Sequence, residues 1–186
     1  GRLLFALQKT GRILRLEPSG ALAVLVPGIR KPRWLAVAED GTLYLSAKGL
    51  RRPHENEDNE EEHPRGDVIL RLGVGSLTVF ADGFKGLQGI ALWGQTLYAV
   101  AERLPGESER QGSTLMRIAI RPDGSAGPLE VLVRSDLRDL IGLAIDRLGA
   151  VFFAAERRHS ENDRGGKGVI HKWLPDGRLV PFATGL

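Results

Sequence analysis

The chain has 186 residues with 26 Lys and Arg against 23 Asp and Glu, 24 Gly, 10 Pro and no Cys, a globular composition that excludes a disulfide scaffold, zinc–thiolate sites and thiol catalysis. No apolar run approaches the ~18 residues of a spanning helix and no charged-then-apolar leader opens the chain, so no membrane span is expected. The net charge of +3 is uneven, with Glu55, Glu57, Asp58, Glu60, Glu61 and Glu62 crowded between His54 and His63, but the bases are spread through every segment without stacking aromatics, which argues against a nucleic-acid partner.

In chain order the apolar runs fall into a repeat of about 50 to 55 residues. The first unit, 2–28, holds three predicted strands: one around Phe5, then Ile13-Leu-Arg-Leu, then Leu22-Ala-Val-Leu-Val. Three fuller units follow at 33–84, 87–136 and 140–186, each reading as strands a, b, c and d. Strands a and b are Trp34-Leu-Ala-Val with Leu43-Tyr-Leu, Gly89-Ile-Ala-Leu with Leu97-Tyr-Ala, and Gly142-Leu-Ala-Ile with Val151-Phe-Phe. Tyr44, Tyr98 and Phe152 correspond, and Phe5 is expected to match them. Strands c and d are Ile69-Leu-Arg-Leu with Leu77-Thr-Val-Phe-Ala, Leu115-Met-Arg-Ile with Leu129-Glu-Val-Leu-Val, and Ile170-His-Lys-Trp with Leu179-Val-Pro-Phe-Ala. Asp40-Gly41, Pro122-Asp123-Gly124 and Pro175-Asp176-Gly177 punctuate them as turns. No apolar stripe of helical period persists over three turns, and Ser135–Leu140 predicts one helical turn at most.

Four short strands per unit, contiguous in sequence, predict an all-β chain of antiparallel four-stranded propeller blades. Three strands and then three full units amount to about 3¾ blades of one domain, 1–186, expected to belong to a six-bladed ring. A four-bladed ring lacking one inner strand is the alternative. The strand-like run Leu3, Leu4, Phe5 within the first five residues suggests a chain beginning in mid-domain.

Pro32-Arg-Trp-Leu-Ala-Val-Ala-Glu-Asp-Gly-Thr-Leu-Tyr-Leu resembles the strand a and b core of an NHL-type blade. Val79-Phe-Ala-Asp-Gly-Phe and Pro181-Phe-Ala-Thr-Gly-Leu are similar to blade ends in the six-bladed group of SMP-30/gluconolactonase-like and soluble glucose/sorbosone dehydrogenase-like proteins. The Gly-Gly pair of kelch repeats is missing. The resemblance implies a periplasmic or extracellular location, a channel lined by the a strands, and a ligand on the face shared by the d-to-a and b-to-c loops. It implies a module binding a small polar molecule or a protein partner there. The alternatives are a metal-dependent lactonase-like hydrolase, with Ca²⁺ in a carboxylate-lined channel, and a quinone-dependent sugar dehydrogenase-like enzyme. The histidine base of the latter has no counterpart, because His54, His63 and His159 all lie in inserts.

The three long inserts, 49–66, 103–112 and 157–168, all fall between b and c and so crowd one face. Residues 51–65 combine like charges with almost no apolar side chains, which predicts mobility. They lack the glycine turn and ligand spacing of an EF-hand. Four residues past the strand b aromatic, the copies read Lys9, Lys48, Glu102 and Glu156. Glu102 and Glu156 are candidate oxygen ligands for Ca²⁺ or a general base, or else partners of neighbouring bases in an exposed ion network. Arg33 and Gln88, leading into strand a, point to the same rim and could orient a polar ligand. The basic position Arg15, Arg71, Arg117 and Lys172 lies within strand c, where snorkelling stems explain it better than a phosphate stripe. His171 reads as a strand histidine with a structural role.

Overall fold

Short β-branched and aromatic runs between Gly, Asp and Pro become strands throughout. The computed structural model describes residues 3–51, 66–108, 112–135, 138–156 and 168–184, and every regular element among them is a strand, with no helix. The chain divides into two compact units, Gly1–Phe84 and Lys85–Leu186.

In the first unit, β1 (Leu4–Leu7), β2 (Arg12–Leu16) and β3 (Leu22–Val26) form an antiparallel sheet in that order. β4 (Ile29–Arg30) then leads through a short turn into β5 (Leu35–Val37) and β6 (Leu43–Ala47), followed by β7 (Gly49–Leu50), β8 (Asp67–Leu72) and β9 (Leu77–Phe84). β5, β6, β8 and β9 make a four-stranded antiparallel sheet, while β4 and β7 pair as a separate ribbon at its end. Period-two alternation sends Leu43, Leu45 and Ala47 of β6 and Val68 and Leu70 of β8 into one core with Ile13 and Val26 of the first sheet. Each large side chain so buried contributes roughly 1.5–3 kcal/mol.

The second unit holds two four-stranded antiparallel sheets. One is β10 (Ile90–Trp93), β11 (Thr96–Ala101), β12 (Ser113–Ile120) and β13 (Ala126–Ser135); the other is β14 (Arg138–Ile145), β15 (Val151–Glu156), β16 (Gly168–Trp173) and β17 (Leu179–Thr184). Tyr98, Val100 and Leu115 pack against Val151, Phe153, Ala155, Val169 and Trp173. The inner strands approach at backbone contact: a Cβ on Gly89 would lie 2.8 Å from the Gly142 carbonyl carbon and the Leu143 nitrogen. Of the segment where a single helical turn was conceivable, Ser135 ends β13 and Arg138–Leu140 open β14, while 136 and 137 lie outside the described residues.

Strand pairing confirms the repeat and shifts one part of it. Tyr44, Tyr98 and Phe152 sit opposite Arg71, Arg117 and Lys172, but the residue opposite Arg15 is Leu4. Leu4 packs on the core, whereas Phe5 points to the other face and is 37% exposed. Counting from Leu4, the place expected for Lys9 belongs to Gln8. The offset arises because no aromatic occupies this position in the first copy.

A shared irregularity follows strand c in all four copies. Leu25, Phe80, Leu132 and Phe182 are each skipped by the pairing, so strand d carries a bulge at one repeated position. In two copies the bulged ring packs edge-on against the strand b aromatic, Phe80 on Tyr44 at 5.2 Å and Phe182 on Phe152 at 5.0 Å. Three of the four basic positions of strand c are engaged within their sheets: Arg15 binds Glu17, Arg117 makes two hydrogen bonds to Glu130, and Lys172 lies over Phe152, whereas the buried Nε of Arg71 has no hydrogen-bond partner among the described residues.

Candidate functional site

At one end of each four-stranded sheet, the segment leading into the inner strand folds back beside the end of the next strand. In the first unit Arg33 N–H donates to the Ser46 carbonyl at 2.9 Å, Lys48 N–H to the Arg30 carbonyl at 2.8 Å, and Arg51 N–H to the Gly28 carbonyl at 2.8 Å. The second unit repeats the pattern, with Gln88 N–H donating to Val100 at 2.9 Å and Glu102 N–H to Lys85 at 3.0 Å. Arg33 and Gln88 are therefore equivalent, as are Lys48 and Glu102. Glu156 ends β15 opposite Arg138 and Gly168, which continues the series; its side chain lies outside the described residues.

What differs between copies is the direction of the residue at the end of the second strand. Lys48 reaches across to strand β8, where Asp67 is almost fully buried at 3% exposure, and pairs with it at 2.8 Å. A buried carboxylate needs such a partner, and the short contact supplies it. The residue equivalent to Asp67 in the next sheet is Ser113, because Ala47 faces Val68 as Ala101 faces Thr114. With a hydroxyl there instead of a charge, Glu102 lies on the opposite side, over Gly86: a Cβ at Gly86 would come within 2.6 Å of Glu102 Cγ and Cδ.

Lys9 sits in the turn 8–11, whose backbone is tied to this region by Arg51, which donates from Nη2 to the Lys9 carbonyl at 3.3 Å. Lys9, Arg33 and Lys48 thus belong to one end of the first unit, and Gln88 and Glu102 to the corresponding end of a sheet in the second. Bases missed on the sequence complete the picture. Three residues before Arg33, Gln88 and Ile141 stand Arg30, Lys85 and Arg138, one basic residue for each four-stranded sheet. Aligning the segments that precede strand a, rather than the strands alone, would have exposed it. Asp67 was overlooked because a strand-opening aspartate has no signal until its cross-strand neighbour is known.

Of the inserts, residues 52–65 and 157–167 lie outside the described residues, and with them the acidic run His54–His63, His159 and the mobility expected of 51–65. The described part of the remaining one is structured. Glu107 accepts from the Leu104 N–H at 2.8 Å and pairs with Arg134 at 2.7 Å, and Arg103 donates to the Ser108 carbonyl at 2.9 Å. The Leu104 hydrogen bond, followed by Arg134, holds the Glu107 carboxyl below its ordinary pKa. Among the described residues no group of three or more His, Asp or Glu comes together. No helix among them is long and apolar enough to cross a membrane.

No family model matches the chain, and no curated protein matches it significantly. Solved structures do. A gluconolactonase from Xanthomonas campestris is 24% identical at a TM-score of 0.69, covering 98% of this chain and 58% of its own. A calcium-binding protein, regucalcin, from Agrobacterium tumefaciens is 18% identical at 0.63, covering 98% and 56%. A PQQ-bound aldose sugar dehydrogenase from Streptomyces coelicolor is 18% identical at 0.54, covering 87% and 51%. At these identities the likeness carries the fold: the sheets are blades of a β-propeller of the kind these proteins share. The chain spans less than two thirds of each neighbour's length.

Proposed function

We propose that this chain belongs to an extracytoplasmic β-propeller that binds a small polar ligand of the sugar or sugar-lactone class. The ligand would lie at the sheet end of the first unit that carries Lys9, Arg33 and Lys48, with Gln88 and Glu102 holding the equivalent sheet end of the second unit. The observation that carries the reading is the repeated backbone pairing that sets Arg33 beside the end of β6 and Gln88 beside the end of β11. It presents charged and amide side chains from rigid strands at equivalent places, the arrangement by which folds orient polar ligands. The neighbours named for gluconolactone and aldose chemistry favour that ligand class over a protein partner.

The same neighbours support a second reading, lactone hydrolysis or sugar oxidation at this place. Ca²⁺ takes about 6–8 oxygen ligands. Glu102 is the described carboxylate of the Glu102 and Glu156 pair, and its side chain is packed over Gly86. The described residues alone do not make a calcium shell, so no catalytic step is built on one.

Calorimetric titration of glucose, glucono-δ-lactone and Ca²⁺ into the protein and its Arg33→Ala, Gln88→Ala and Glu156→Gln variants tests both readings. Binding of a sugar or lactone that Arg33→Ala or Gln88→Ala weakens about tenfold supports the module, and lactone turnover lost with Glu156→Gln supports the hydrolase. Binding of none of the three, or binding indifferent to all three substitutions, refutes both.

A further inference from the structure

Each compact unit contains a sheet packed on a sheet, and both interfaces use the same register. In the first unit Leu4, Ala6 and Ile13 meet Leu43, Leu45 and Ala47. In the second, Tyr98, Val100 and Leu115 meet Val151, Phe153 and Ala155. The pairing makes the two sets equivalent: Leu4 lies opposite Arg15 as Tyr98 lies opposite Arg117, and Leu43 lies opposite Leu72 as Val151 lies opposite Trp173. Because side chains alternate along a strand, each sheet has a leading face of the Leu4 and Tyr98 kind and a trailing face of the Leu43 and Val151 kind.

Two of these faces are bare. The trailing face of the β1–β3 sheet carries Leu3, Phe5 and Leu7, which are the counterparts of Val151, Phe153 and Ala155 because Leu4 and Phe152 correspond. Val151, Phe153 and Ala155 are at most 4% exposed, whereas Leu3, Phe5 and Leu7 stand 37–57% exposed, and Leu22 and Val24 widen the apolar row at 57% and 53%. Leu14 and Leu16 stand where His171 and Trp173 do, so this face is more apolar than its packed counterpart. On the β14–β17 sheet the leading face carries Phe152, Ala154 and Ile170, the counterparts of Tyr98, Val100 and Leu115. Val100 is fully buried but Ala154 is exposed, and the bulged Phe182 is 62% exposed where Leu132 packs on a core. Contiguous apolar side chains left bare in this way mark a docking surface.

In both units a trailing face is covered by a leading face, so what fits Leu3, Phe5 and Leu7 is a sheet carrying the Phe152 set. We propose that a second copy of this chain supplies it, the β14–β17 sheet of one copy receiving the β1–β3 sheet of the other in the register used within each unit. Lys172 on the leading face lies over Phe152 and pairs with Asp146 at 3.6 Å, so its charge is balanced when the face is covered. The pairing is heterologous, one face binding a different one, unlike an isologous dimer in which a patch meets itself. It is independent of the ligand reading above.

Sedimentation velocity across an about hundredfold concentration range, on the parent and on Val24→Glu and Phe182→Glu, tests the pairing. The parent is expected to form dimers or larger species as concentration rises, and each variant to stay monomeric, with association weakened about tenfold or more. Mixed in equal amounts, the two variants should form a one-to-one dimer and nothing larger, because each contributes the face that the other lacks. Unfolding midpoints close to the parent's verify that both variants fold, and Leu22→Glu and Ala154→Glu repeat the two arms at second exposed positions. A parent that is monomeric throughout overturns the proposal and assigns the two faces to a different occupant. A mixture that stays monomeric overturns it too. So does association that survives both substitutions of either arm, survival in one arm only being the mark of a face that pairs with itself.

Discussion

Gly86→Ala is the sharpest test of the coupling between the turn before strand a and the end of strand b. The backbone there has φ 61°, where an alanine costs roughly 1–2 kcal/mol. Its methyl would lie 2.6 Å from Glu102 Cγ and Cδ, so the glutamate must leave its rotamer or the turn must shift, at about 1–2 kcal/mol more. Together these predict a loss of about 2–4 kcal/mol, or a midpoint lower by roughly 4–15 °C for a chain of this size. In Gly86→Ala/Glu102→Ala the clashes with Cγ and Cδ vanish, while the Cβ at 3.1 Å and the backbone part stay, so up to about half of the loss should return. Urea or thermal unfolding of the two singles and the double closes the cycle, with an expected coupling near 1–2 kcal/mol. Singles that add to within about 0.5 kcal/mol, or a Gly86→Ala protein as stable as the parent, would show that Glu102 does not fill this space.

Two pH-dependent effects follow from the described side chains. His171 stacks on Phe153 at 5.6 Å with neither ring nitrogen partnered, and burial pushes its pKa down, so the unfolded chain takes up a proton first and stability should fall as pH drops below about 6.5. His171→Leu, which copies Leu14 and Leu70 at the equivalent position, should abolish that dependence and raise the midpoint by roughly 2–4 °C at neutral pH, read from melting curves between pH 5 and 8. Glu107 acts in the same direction over a more acidic range: its lowered pKa gives stability that is full above the ordinary carboxylate range and lost as pH falls through the folded value, so the parent and Glu107→Gln should converge in acid and separate near neutrality.

The strand plan was legible because apolar alternation and Asp-Gly turns repeat wherever a blade must be built, and such a repeat constrains many residues at once. One residue of it slipped where Leu4 replaced the aromatic that marks the other copies, since hydrophobic pattern alone cannot tell Leu4 from Phe5 when both are apolar and adjacent. The repeated bulge in strand d left no trace either, because Leu25, Phe80, Leu132 and Phe182 continue the apolar run and only pairing shows that they are skipped.

At the rim, legibility ends for a different reason. Lys48 and Glu102 occupy one position of the repeat, yet the residue on the neighbouring strand, a charged Asp67 in one case and Ser113 in the other, decides which side each takes. Their directions in turn decide whether the turn before strand a must be glycine, as at Gly86, or has room for a side chain, as at Lys31. Three residues from three segments are thus coupled through contacts of a few ångströms, and no single stretch of sequence carries the rule. Such coupling is how repeated blades can share one scaffold while each sheet end acquires its own charge. Exchanging the set, with Lys48→Glu, Asp67→Ser and Lys31→Gly made together, should therefore disturb the fold less than Lys48→Glu alone, which would leave Asp67 buried beside a second carboxylate.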